Sequence, residues 1–277
     1  MALEEITLPN GEVVKLGNIV PTKGLSPDWI EFGADPQSPL IPRDQWKGLI
    51  DAMGTGPELA NMPPLHDQNG VGQCNAEAGA TMMEAIRLRQ GLPPIRLSGA
   101  DLYARINGGR DQGSLLEDGM AELLKNGIGT AATCGELWKN GSFKGEASTA
   151  ERSKNRLQEL YICPQFDHVM SASLHGFFGV SGVVWYDNYT PGTDGWLPRG
   201  RGNSGGHAIM SYKPTYRTVG GQIEFGIWHK QSWFAGWFAA MNNSFVIPES
   251  AFNGPVGGWY CGRSVTDEGG VLPPPIN

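Results

Sequence analysis

The order of apolar and polar residues divides the chain into two halves of different character. Between residues 73 and 90, Ala76, Ala80 and Met83, with Met82 and Ile86, recur at spacings of three and four. That pattern predicts a helix with a broad apolar face, ended by Gly91, Pro93 and Pro94. "LSGADLYARI" predicts a second, shorter helix, and "PRDQWKGLIDAM" a small one upstream. In "SLLEDGMAELLKNG", Leu116, Met120, Leu123 and Leu124 form an apolar stripe. Ser114 and Glu117 stand as a capping box there, and Gly127 as the residue that ends the helix. From residue 179 onward the period changes. "GVSGVVWY" (179–186), "GHAIMSYKP" (206–214), "GQIEFGIWHKQSW" (221–233) and "NSFVIP" (243–248) are strand-like, and Ile223, Phe225 and Ile227 alternate with Glu224 and Gly226. Helices first and strands later predict an α+β fold with a helical half and a sheet half, and a cleft between them as the place for a site. Residues 1–60, punctuated by Pro and Gly, read as an N-terminal extension, and residues 61–277 as the main domain.

Composition narrows the class of partner. An apolar content of 40% supports a packed core. The 40 glycines and 20 prolines predict a loop-rich fold. A net charge of −7 argues against nucleic acid or acidic lipid as the main partner. No run approaches the roughly 18 apolar residues of a membrane span. The N-terminus "MALEEITLPNGEVVKL" lacks the basic and apolar regions of a signal peptide. The cysteines at 74, 134, 163 and 261 have no CxxC or zinc spacing. They read as free thiols in the cytoplasm or another reducing compartment.

Cys74 opens the predicted helix at 73–90. Unpaired N–H groups and the macrodipole at a helix start favour a thiolate, so this thiol is expected to be held well below its ordinary pKa. A thiol nucleophile needs a base, and the base an orienter. His207 begins a predicted strand 133 residues later (207 − 74), after Gly205 and Gly206, which leave room for a substrate. Gln231, in "WHKQSWFAGW", offers an amide to orient the imidazole.

These segments resemble the papain family of cysteine peptidases. The likeness rests on Gln68 to Cys74, on Gly206-His207, on Lys230-Gln231-Ser232-Trp233, and on the stretch from Leu97-Ser98 to Asn126-Gly127-Ile128. It covers roughly residues 61–250. It implies a two-lobed fold, a helical lobe carrying the nucleophile and an antiparallel β lobe carrying the histidine. It also implies that Cys74 attacks a peptide carbonyl, that His207 is its ion-pair partner, and that Gln68 donates to the oxyanion. Trp233 matches the indole that shields the histidine–amide bond, and Trp237 the second tryptophan of that segment. Gln231 stands where the family has Asn, Asn75 where it has Trp, and Phe234 and Phe238 where it has glycines. Val71 replaces a frequent disulfide cysteine, and no long inhibitory propeptide is recognisable in residues 1–60.

The expected function is thiol-dependent hydrolysis of a peptide bond in a peptide or protein substrate, through an acyl-enzyme, with no cofactor and no metal. The substitutions at 75, 231, 234 and 238 support a rival reading: the same fold kept as a structural or assembly component of a larger particle, with impaired catalysis. Related thiol chemistry, on a cell-wall peptide or by acyl transfer, is a third. His66, His168, His175 and His229 show no partner pattern and read as surface or satisfied histidines. Cys134, Cys163 and Cys261 read as structural thiols. "DNYTPGTDG" lacks EF-hand spacing and reads as a turn. "NGGRDQG" lacks the Lys-Ser/Thr of a phosphate loop.

Overall fold

The computed structural model describes residues 4–19, 29–58, 62–233, 241–252 and 258–265. The chain begins with a hairpin of β1 (Glu4–Thr7) and β2 (Val13–Leu16), followed by α1 (Arg43–Met53). In α1, Trp46 and Ile50 fall four residues apart and are fully buried, and Trp46 Nε1 donates to the Ile41 carbonyl at 2.8 Å. Helices α2 (Cys74–Arg89), α3 (Gly99–Ile106) and α4 (Leu116–Lys125) follow.

Helix α2 is buried on nearly every side, from Cys74 to Arg87. Small residues make that possible. A Cβ at Gly79 would sit 3.1 Å from Leu123 Cδ1, so α4 packs almost against the α2 backbone. Ser98 caps α3 by accepting from the Asp101 N–H. The expected capping box of α4 does not form. The helix starts at Leu116 after Leu115, with no side-chain cap. Ser114 Oγ instead accepts from Asn75 Nδ2 at 3.1 Å, and Glu117 Oε1 accepts from Trp29 Nε1 at 2.6 Å. Tertiary partners outcompete the local bonds. Gly127, at φ +79°, takes the left-handed position expected of it.

Two short helices, α5 (Ala131–Cys134) and α6 (Thr149–Ser153), lead to β3 (Tyr161–Ile162) and α7 (Phe166–Leu174). Then come β4 (Phe178–Tyr186), β5 (Ser204–Val219), β6 (Gln222–Lys230), β7 (Ser244–Pro248) and β8 (Trp259–Gly262). They form one antiparallel sheet in the order β3-β8-β4-β5-β6-β7. The alternation expected in β6 holds only in part. Ile223 is 45% exposed, whereas Ile227 to Lys230 are all buried, because the far end of the β5–β6 hairpin runs beyond the core.

Ala76, Ala80 and Met83 of α2 share a core with Val180 of β4 and Ala208 and Met210 of β5. Helix α2 therefore lies directly on the sheet. The N-terminal hairpin joins a second core: Ile6, Leu8, Val14 and Leu16 pack with Trp185, Ile209 and Trp233.

Candidate active site

Asn69 and Gly70 take positive φ (37° and 74°) and reverse the chain ahead of α2. The turn is closed by the Val71 N–H on the Gln68 carbonyl at 2.9 Å, and Asp111 Oδ1 accepts from the Gly72 N–H at 2.9 Å. Gln73, at the N-cap, is held by its side chain. Its Nε2 donates to Glu77 and to the Glu136 carbonyl, and its Oε1 accepts from the Trp138 N–H at 3.0 Å. Cys74 thus enters α2 on a fixed backbone. Its fully buried sulfur faces the backbone N–H groups of Ala208, Gly17 and Asn75, and its own. The Ala208 contact joins the helix start to β5 at the residue after His207.

His207 is fully buried, and its Nε2–H donates to Gln231 Oε1 at 2.6 Å. Since the amide oxygen only accepts, this bond fixes the Nε2–H tautomer and leaves Nδ1 as the basic nitrogen. Nδ1 has no hydrogen-bond partner among the described residues. Gln231 Oε1 also accepts from the Ser232 N–H at 2.8 Å, so the amide is anchored to its own backbone. Trp233 stacks on the imidazole at 4.1 Å and 15°, and Trp185 meets it edge-on at 5.5 Å. Both indoles keep water from the His207–Gln231 bond. Trp237, Phe234 and Phe238 lie outside the described residues.

Gln68 is fully buried and lies beside the same segment. Its N–H and Oε1 bond Ser232, both at 2.9 Å. Its Nε2 donates to the Val71 carbonyl at 2.9 Å and to the Lys15 carbonyl at 3.0 Å. The second partner belongs to the N-terminal segment. Beyond β2, that segment runs between the two halves of the molecule. The Gly17 N–H lies on the Cys74 sulfur, and the Gly17 carbonyl accepts from Ser114 N at 2.9 Å. The Asn18 N–H donates to the Gly206 carbonyl at 3.1 Å, and the Ile19 N–H to Ser114 at 3.0 Å. Glycine is required at 17, since a Cβ there would sit 2.1 Å from the Gly72 carbonyl oxygen. The space left by Gly205 and Gly206, expected to admit a substrate, holds the hairpin. A Cβ at Gly205 would meet Glu4 Oε2 at 2.1 Å, and the Gly206 N–H donates to that carboxylate at 3.3 Å.

This filling changes the electrostatics expected of the thiol. Burial pushes Cys74 up to about 11, against the smaller opposing effect of the N–H groups on its sulfur. Burial pushes His207 down to about 3, opposed only by the Gln231 bond. With the segment in place Cys74 is a neutral thiol and His207 a neutral imidazole with no bond from Nδ1 to the sulfur, not the ion pair at reduced thiol pKa expected from the helix start. Water, which would solvate the charged forms, is excluded.

One part of the arrangement escaped the sequence reading. His66, read as satisfied or exposed, is 1% exposed and bonds two carboxylates of α2. Nδ1 meets Glu77 Oε2 at 2.8 Å and Nε2 meets Glu84 Oε1 at 2.9 Å. The signal was Glu77 and Glu84 themselves: two acids seven residues apart, on one face of an otherwise apolar helix, need a buried cation. No group of His, Cys, Asp and Glu suited to a metal occurs among the described residues, and no helix among them is long and apolar enough to cross a membrane.

No family model matches the sequence, and no curated protein does. Solved structures do. Xylellain, a cysteine protease from Xylella fastidiosa, aligns with a TM-score of 0.65 at 15% identity, over 96% of this chain and 98% of that one. Procathepsin L2 from the Tenebrio molitor larval midgut aligns at 0.58 and 18%, over 91% and 78%. The cysteine protease Cwp84 aligns at 0.60 and 16%, over 76% of this chain and 57% of that chain. With helices α2 to α4 on one side and an antiparallel sheet on the other, the chain has the α+β fold of the papain-like cysteine peptidases.

Proposed function

We propose that the protein is a papain-like thiol peptidase held latent by its own N-terminal segment. The observation that carries this reading is the oriented histidine: His207 bonded to Gln231 through Nε2, shielded by Trp233, with an Nδ1 unpartnered among the described residues, on the strand that touches the Cys74 sulfur. A fold kept only for its shape has no need of that tautomer. In the reaction, Nδ1 of His207 takes the Cys74 proton and the thiolate attacks the peptide carbonyl. The Cys74 N–H and a Gln68 Nε2–H stabilise the charge on oxygen. His207 then protonates the leaving amine, and water hydrolyses the acyl-enzyme. In the latent form, the Lys15 carbonyl occupies the Gln68 donor and Gly17 covers the sulfur, so attack requires residues 15–19 to leave. Residues 1–60 thus act as an extension that gates residues 61–277.

The rival, a structural component without turnover, draws on the same covered and neutral Cys74. A fluorogenic peptide library separates the two. The 277-residue chain should be slow. Activity should rise when the segment is displaced and fall by at least about a thousandfold in Cys74→Ala and His207→Ala forms. No turnover of any peptide by a folded protein with an open cleft would favour the structural reading.

A further inference from the structure

We propose that Cys163 and Cys261 are the two halves of a disulfide that clasps the β lobe. The sulfurs lie 3.5 Å apart and both are buried. The strand register explains the meeting. Tyr161 pairs with Cys261 and Ile162 with Tyr260, so Cys163 falls beside Trp259, and its N–H donates to the Trp259 carbonyl at 2.7 Å. Successive side chains alternate between faces, so 163 and 261 share a face as diagonal neighbours across an antiparallel pair. A bond needs the sulfurs to approach by roughly another 1.5 Å. A small cavity lined by Cys163, Val169, Ala172, Phe177 and Cys261 gives them room to turn.

Position gives the bond its consequence. The residues are 98 apart, and the loop between them contains β4, β5, β6 and β7, with His207 and Gln231. Closing it ties the edge strand β3 to the last described strand, β8, around every sheet residue of the candidate site. Burial and the neighbouring Cys163 raise the Cys261 thiol well above its ordinary value, so in the reduced state Cys261 is a neutral thiol, slow to oxidise without local opening.

The oxidant is a small-molecule disulfide, RSSR. The Cys163 thiolate attacks one of its sulfurs and one RS⁻ leaves. The Cys261 thiolate then attacks the Cys163 sulfur of the mixed disulfide, and the second RS⁻ leaves. The two protons lost by the protein convert both leaving groups to RSH. The protein is oxidised by two electrons, and RSSR is reduced to two thiols.

The test equilibrates the full chain in oxidised and reduced glutathione over a range of ratios. One arm passes through a denaturant and refolding cycle, so that burial cannot block exchange. The quenched protein is denatured, alkylated and mapped without reduction. The expected result is one cross-linked peptide pair holding Cys163 and Cys261, lighter by two hydrogens, with Cys74 and Cys134 alkylated. The oxidised form should melt about 5 °C or more above the reduced form. Cys163→Ser should abolish the link and leave Cys261 alkylated. Four alkylated thiols at every ratio in both arms, or a link through Cys74 or Cys134 instead, would overturn the proposal.

Discussion

At position 231 a glutamine holds the imidazole of His207 at 2.6 Å, and its second bond, from the Ser232 N–H, sets the rotamer that reaches it. The extra methylene, compared with the Asn of the papain family, is accommodated by that fold-back. Gln231→Ala should free the ring and lower the turnover of an unlocked enzyme by on the order of tenfold or more. Gln231→Asn should fall between Ala and the parent, because its carbonyl recedes from Nε2. A full kinetic profile of both variants checks this, and an Ala form equal to the parent would remove Gln231 from the machinery. The residue types at 74, 207, 231 and 233 were legible in the sequence because each sits beside its own signal: a helix start, a strand start and a Gln-Ser-Trp segment. The protonation state of the pair was not. It depends on which chain covers the sulfur, and residues 15–19 are distant in sequence from Cys74.

Among the elements, α2 was the most readable and also hid the most. Its apolar spacing placed Cys74 at its first turn, yet the same periodicity passed over Glu77 and Glu84, whose partner His66 lies outside the helix. That cluster fixes the chain two residues before Gln68 to α2. It also makes stability depend on pH. Burial alone would lower the His66 pKa, but Glu84 and Glu77 outweigh it and raise it to about 9. A histidine raised above its unfolded value of about 6.5 contributes fully below that pH and loses its contribution as pH climbs through about 9. The full contribution is roughly 3 kcal/mol. His207 and His229, both pushed down to about 3 by burial, act in the opposite sense. Their contribution is present above about pH 6.5 and is lost as pH falls toward 3. The melting temperature should therefore peak near neutral pH and fall on both sides. His66→Lys, which keeps a charge that does not titrate there, should flatten the alkaline fall. An unchanged alkaline limb in His66→Lys would mean that the cluster does not carry it. The capping box at Ser114 and Glu117 failed for a related reason. Local bonds written in the sequence were outbid by Asn75 and Trp29, 39 and 88 residues away.

For the whole molecule, the two-lobed α+β arrangement follows from helix-period and strand-period segments in separate halves of the sequence. The path of residues 4–19 does not, since a short hairpin carries no signal for the cleft it enters. That path is the core of the account: it lays Gly17 on the Cys74 sulfur and the hairpin on Gly205 and Gly206, and so covers the candidate thiol and imidazole. The most direct measurement is the alkylation rate of Cys74 by iodoacetamide at pH about 6, where an ion pair is reactive and a neutral thiol is not. It is made on the full chain, on Gly17→Val, whose side chain cannot fit against Gly72, and on Gly17→Val combined with His207→Ala, with circular dichroism to show that each is folded. Slow labelling in the parent, labelling at least about tenfold faster in Gly17→Val, and a return to slow labelling without His207 are predicted. Equal labelling of Gly17→Val with and without His207 would contradict the account, as would rapid labelling of the parent.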